Sequence, residues 1–187
     1  MKKEKKKKIK EIIKEICNEM GIKSSHVLYS MERTLGGRVY MPFFIELTSA
    51  TANQIEENCN AIRLIIAHEL IHVKYRDFGL GRAIMDFRHN LIDNARILLV
   101  ECRADIEGAY YSKVDKSQIF DSFMYIKEFN KDKPFVYYNG YPSREKRSYY
   151  ATKYTSLTEE AKEEILGDYC KYYDIENVAE FIKKINI

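Results

Sequence analysis

The sequence predicts an α+β fold, mostly helical, with a small β-sheet beside one central apolar helix. Three observations point there. Apolar residues recur at helical spacing along most of the chain, whereas β-branched and aromatic residues cluster only between Val27 and Leu47. The segment Leu64–Tyr75, LIIAHELIHVKY, is apolar almost all round, which marks a buried helix. The length of 187 residues suits a single domain, 1–187, with a core that needs no disulfide staples.

The elements follow in order. Ile9, Ile12, Ile13, Ile16, Cys17 and Met20 define an amphipathic helix that Gly21 ends. Val27–Tyr29, Val39–Met41 and Phe43–Leu47 read as strands, with a turn at Leu35–Arg38 and Pro42 marking an edge or a bulge. Phe43–Leu47 is taken as an edge strand able to hold an extended peptide by strand addition. Thr48–Thr51 offers caps for the long helix carrying Leu64–Tyr75. Arg76–Asn94 reads as a loop with one short helix. Helices are expected over Ala95–Tyr111, Lys116–Phe129, Ser143–Tyr154, Thr158–Tyr173 and Ile175–Ile185, with an irregular aromatic stretch at Lys131–Pro142. Ser156 and Glu159 are spaced as a capping box, and Asp174 is placed to cap the last helix.

Composition narrows the class. Hydrophobic content of 45% and charged content of 32% describe an ordinary globular chain. No apolar run is long enough for a membrane span, so no membrane insertion is expected. The basic N-terminus lacks an apolar h-region, which argues against a secretory signal and for a cytoplasmic protein. Cys17, Cys59, Cys102 and Cys170 are far apart and read as reduced thiols. The net charge of +3 comes mostly from the first ten residues, read as a solvated helix start, and no stable nucleic-acid partner is expected.

The chemistry concentrates at His68-Glu69-Leu70-Ile71-His72. Residues four apart share one helix face, so His68 and His72 can offer two imidazole nitrogens to one metal ion. Glu69 lies beside that position, where a carboxylate can take a proton from an attacking water. Two histidines and a glutamate on a buried helix are costly without a partner, and a metal supplies one. His26 and His89 read as solvent-facing. A second pattern, Glu101-Cys102-Arg103-Ala104-Asp105, again places two carboxylates one turn apart. A catalytic zinc takes three protein ligands and keeps an open position, so Glu101 is the candidate third ligand. Asp105 can accept the N–H of a ligand histidine and fix its tautomer.

HExxH followed on a later helix by ExxAD resembles the gluzincin zinc peptidases. Within them, the β-rich stretch before HELIH in a short chain resembles the ImmA/IrrE family, which implies a zincin-like domain and cleavage of a regulatory protein such as a transcriptional repressor or antitoxin. The pair of motifs is equally similar to the HtpX and CAAX prenyl endopeptidase group, whose members are membrane proteins. Tyr141-Pro142-Ser143-Arg144-Glu145-Lys146-Arg147 is similar to the HPSxxxR segment of the HtpX-like group, with tyrosine in place of histidine. The resemblance implies Tyr141 as an oxyanion donor, with Arg147 holding that loop or sharing in binding the charge. It covers three short islands, Leu64–Val73, Val100–Asp105 and Tyr141–Arg147.

The expectation is therefore a cytosolic zinc metallopeptidase, binding one Zn2+ through His68, His72 and Glu101, with Glu69 as general base and a protein or peptide substrate. Two alternatives stand beside it. One is a non-catalytic metal-binding regulator, for which Glu69 would be superfluous. The other is a nucleic-acid-binding protein led by the lysine-rich N-terminal helix.

Overall fold

The computed structural model describes residues 3–77, 90–132, 137–138 and 141–185; the side chains of Tyr40, Tyr137, Tyr138 and Tyr141 lie outside that set. Helix α1 (Lys3–Met20) buries the apolar stripe read from its sequence and exposes its lysines except Lys5, which is partly buried and donates to Asn53 O. It ends in a Schellman motif: Gly21 takes φ +67°, its N–H reaches Asn18 O, and Ile22 N–H reaches Cys17 O at 3.0 Å.

Strands β1 (His26–Ser30), β2 (Gly37–Met41) and β3 (Phe44–Thr48) form a mixed sheet in the order β1-β3-β2. β1 runs parallel to β3, and β2 pairs with it antiparallel. The expected edge at Phe43–Leu47 is thus corrected. β3 is the central strand, with Ile45 and Leu47 fully buried, and β1 and β2 are the edges. Sequence missed this because β3 inserts between β1 and β2 and pairs with a strand that is not its neighbour in the chain. Pro42 sits in the turn between β2 and β3, and the register shifts between Val39 and Met41.

Thr48 caps the short helix α2 (Ser49–Asn53), not the apolar helix as expected. Its side chain accepts from Thr51 N. Helix α3 (Cys59–Tyr75) starts instead at Asn58, whose side chain accepts from Ala61 N at 2.9 Å. Helix α4 (Leu91–Ser112) begins four residues earlier than expected, capped by Asn90. His89, and most of the loop expected at Arg76–Asn94, lie outside the described residues.

Then come α5 (Lys116–Asn130), the two-stranded β4 (Tyr137–Tyr138) and β5 (Tyr141–Pro142), α6 (Arg144–Lys153), α7 (Glu159–Tyr172) and α8 (Val178–Lys183). Two caps differ from the expected ones. Thr158 rather than Ser156 caps α7, and Asn177 rather than Asp174 caps α8. Asp174 adopts φ 52° and turns the chain between them.

One face of the core lies between α1, the sheet, α2 and α3. A second joins α4 to α6, α7 and α8 around Tyr150 and Tyr169. α4 is shared by both and packs most extensively on α3. Among the described residues no helix is long and apolar enough to cross a membrane.

Candidate metal and catalytic site

The α3–α4 contact builds the site. Glu101, Ala104, Asp105 and Gly108 recur at three- and four-residue spacing, so they share one face of α4. Gly108 lies against the backbone of α3 at His68; a Cβ there would stand 3.0 Å from His68 N and 3.2 Å from its Cα. Only a residue without a side chain lets the helices approach this closely. The approach brings Glu101 onto the two histidines. His68 Nε2 lies 3.2 Å from Glu101 Oε2, His72 Nε2 lies 3.7 Å from Oε1, and the two Nε2 atoms are 3.1 Å apart. Among the described residues His68, His72 and Glu101 form a group whose ligand atoms all fall within 4.8 Å of one another.

The nitrogens that face away from this group are also held. His68 Nδ1 is 2.9 Å from Asp105 Oδ1, and His72 Nδ1 is 3.2 Å from Asp77 Oδ2. Each carboxylate carries an arginine in turn. Arg147 donates Nε and Nη2 to Asp105, at 2.5 and 2.8 Å. Arg103 Nη2 reaches both oxygens of Asp77, at 2.9 and 2.8 Å. Two imidazoles with their outer nitrogens tied to carboxylates, and one converging carboxylate, make a donor set that fits zinc.

The charges respond to this crowding. Burial alone would lower the His68 pKa, but the Asp105 and Glu101 carboxylates outweigh it and raise it to about 10. Burial works against ionisation of Glu101, yet His72, His68 and Arg147 hold it down to about 2. Burial likewise opposes ionisation of Asp105, and Arg147 and His68 keep it well below the usual range. Asp77 is held low by His72 and Arg103 against the effect of burial.

Glu69 is different. It is 7% exposed, and among the described residues its carboxylate makes no hydrogen bond or ion pair. Burial pushes its pKa up. It lines a cleft of about 280 Å³ together with His68, His72, Glu101, Asp105 and Arg147. Leu35, Leu64, Val100, Phe123 and Ile126 supply apolar wall. Edge strand β2 forms one rim, through Gly37, Arg38 and Val39. Gly37 lies on the stem of Glu69: a Cβ there would stand 2.8 Å from Glu69 Cγ and 2.8 Å from Glu46 O.

The loop that feeds β2 is pinned on two sides. Thr48 Oγ1 donates to Thr34 O at 2.6 Å, and Thr51 Oγ1 donates to Gly36 O and accepts from Gly36 N. From α5, the Asn130 amide closes a pair of hydrogen bonds on the Leu35 backbone, at 2.6 and 2.8 Å.

The structure thus brings together His68, Glu69, His72, Glu101, Asp105 and Arg147 of the residues expected from sequence. Arg147 is buried, lines the cleft and donates to Asp105. Arg147 thereby braces the carboxylate behind His68. The Tyr141 backbone pairs with Tyr138 in the β4–β5 sheet, and β5 packs on α4, whereas its side chain lies outside the described residues. His26 stands exposed on β1 beside Phe44, away from the cleft. The sequence reading missed Asp77, Arg103, Gly37 and Gly108. Gly108 carried a signal, since it continues the Glu101–Asp105 stripe by three residues. The chain matches no family model, no curated protein and no solved structure in comparisons with known proteins.

Proposed function

We propose that the protein is a zinc-dependent endopeptidase of the gluzincin kind. One observation carries the reading: a buried glutamate with no partner among the described residues sits beside two histidines and a second glutamate whose ligand atoms converge. A carboxylate left buried and unpaired is costly, and general-base chemistry is a reason to keep it. His68 and His72 would hold zinc through Nε2, and Glu101 through its carboxylate. When bound, zinc would supply Lewis-acid polarisation of the scissile carbonyl and acidify water. Glu69, with its pKa raised by burial, would take the proton from the attacking water and deliver it to the departing amine. Asp105 and Arg147 would hold His68 in orientation.

β2, as an edge beside Glu69, takes over the peptide-pairing role that sequence assigned to Phe43–Leu47. Tyr141 keeps its proposed place as oxyanion donor by resemblance. The same resemblance suggests a repressor or antitoxin as substrate.

Two measurements test the reading together. Elemental analysis of purified protein should give about one zinc per chain. Glu69→Gln should retain that zinc and lose cleavage of an unfolded protein substrate. Loss of the metal in Glu69→Gln would make Glu69 a ligand, and full activity in that variant would refute its role as base.

A further inference from the structure

Helix α3 ends in a second Schellman motif, and this one delivers a side chain to the site. Arg76 N–H reaches Val73 O at 3.3 Å, and Asp77 N–H reaches His72 O at 3.0 Å. Such a motif places the second residue past the helix next to the last-turn residue it bonds, commonly as an apolar contact. Here that pair is Asp77 and His72, and the contact is polar. Arg76 adopts φ 60°, a left-handed conformation that glycine would hold with less strain.

We propose that Asp77, latched by Arg103, is the positioning carboxylate of His72, holding its Nδ1–H so that Nε2 faces the metal position. The proposal rests on the zinc reading above. Asp77 Oδ2 lies 3.2 Å from His72 Nδ1, and Arg103 Nη2 lies within 2.9 Å of both Asp77 oxygens. Arg103 is itself wedged in place. Its guanidinium carbon stands 4.0 Å over the Tyr75 ring, and the Tyr75 hydroxyl donates to Glu107 at 2.9 Å. Among the described residues the buried Arg103 Nε has no hydrogen-bond partner, and the guanidinium directs its Nη2 to Asp77. Asp77 does for His72, from the end of α3, what Asp105 does for His68 from α4. The two histidines are oriented by separate pieces of backbone, so each can be released on its own.

The test uses the full chain, with zinc as probe, in a chelator competition, and 15N imidazole shifts of the metal-free protein. His72 should be the Nδ1–H tautomer in the wild type. Asp77→Ala should bind zinc about 10- to 100-fold more weakly and lose that tautomer preference, with the helical circular dichroism unchanged. Asp77→Asn, which keeps an acceptor oxygen, should fall between and serves if the alanine variant fails to fold. Arg103→Ala should weaken zinc binding, and combining it with Asp77→Ala should add nothing further, because Arg103 acts through Asp77. Wild-type zinc affinity in Asp77→Ala and Asp77→Asn overturns the proposal and leaves the zinc site standing. A wild type that binds no zinc overturns the zinc reading; His72 found as the Nε2–H tautomer overturns the role of Asp77 in either case.

Discussion

Replacing Gly108 by alanine tests the idea that the α3–α4 approach makes the site. The new Cβ would meet His68 N at 3.0 Å, His68 Cα at 3.2 Å and Ala67 C at 3.3 Å. All three are backbone atoms of α3 and cannot rotate aside. Restoring carbon contacts of about 3.5 Å requires the helices to part by about 0.5 Å. Overpacking of this kind costs about 1–3 kcal/mol, whereas glycine to alanine within a helix returns up to about 1 kcal/mol. The net is a destabilisation of about 0–3 kcal/mol. Gly167, in α7, is the internal control: a Cβ there meets nothing within 4 Å, so Gly167→Ala should stabilise by up to about 1 kcal/mol. At about 2–4 °C per kcal/mol for a chain of this size, Gly108→Ala should melt at least about 2 °C below Gly167→Ala. Zinc binding should suffer more. Metal-site distances tolerate about 0.2 Å, and the same displacement carries Glu101 away from both histidines. A loss of about tenfold or more in zinc affinity is expected by chelator competition. A Gly108→Ala protein that melts with Gly167→Ala and binds zinc as tightly as the wild type would refute the argument.

Asp105→Ala should weaken zinc binding by about 10- to 100-fold, measured by the same competition, because His68 loses its 2.9 Å contact to a carboxylate that Arg147 also holds. Tyr141→Phe should lower kcat by about 10²- to 10³-fold with zinc content unchanged, and wild-type turnover would reduce Tyr141 to a packing residue. The metal-free protein should lose stability on both sides of neutrality. Glu101 is held down to about 2, so its contribution is present above about pH 4.5 and lost as pH falls toward 2. His68 is raised to about 10, so its contribution is full below about pH 6.5 and lost as pH rises toward 10. Denaturant midpoints across pH should show both limbs, and Glu101→Gln should flatten the acid one.

Much of this was legible in local pattern. The α1 stripe, the apolar α3 and the four-residue spacing of His68 with His72 and of Glu101 with Asp105 are periodic features, and a helix converts period into a shared face without outside help. The caps were less legible. Several side chains near each helix start could accept a backbone N–H, and packing chose Asn58 over Thr48 for α3, Thr158 over Ser156 for α7 and Asn177 over Asp174 for α8.

Sequence by itself determined which residues could act: two imidazoles, a neighbouring carboxylate and a second carboxylate pair, because those depend on side-chain type and helical period. Tertiary structure decided what each is bonded to. Strand order made β2 rather than β3 the edge beside Glu69, since pairing across the sheet depends on where the chain returns. Helix packing gave Asp105 the Arg147 guanidinium from 42 residues away. Asp77 reaches Arg103 26 residues on and meets His72 only through the left-handed turn at Arg76. Gly37 and Gly108 matter for the same reason: what a missing side chain makes room for is supplied by another part of the chain, and only the folded structure sets the two within 3 Å.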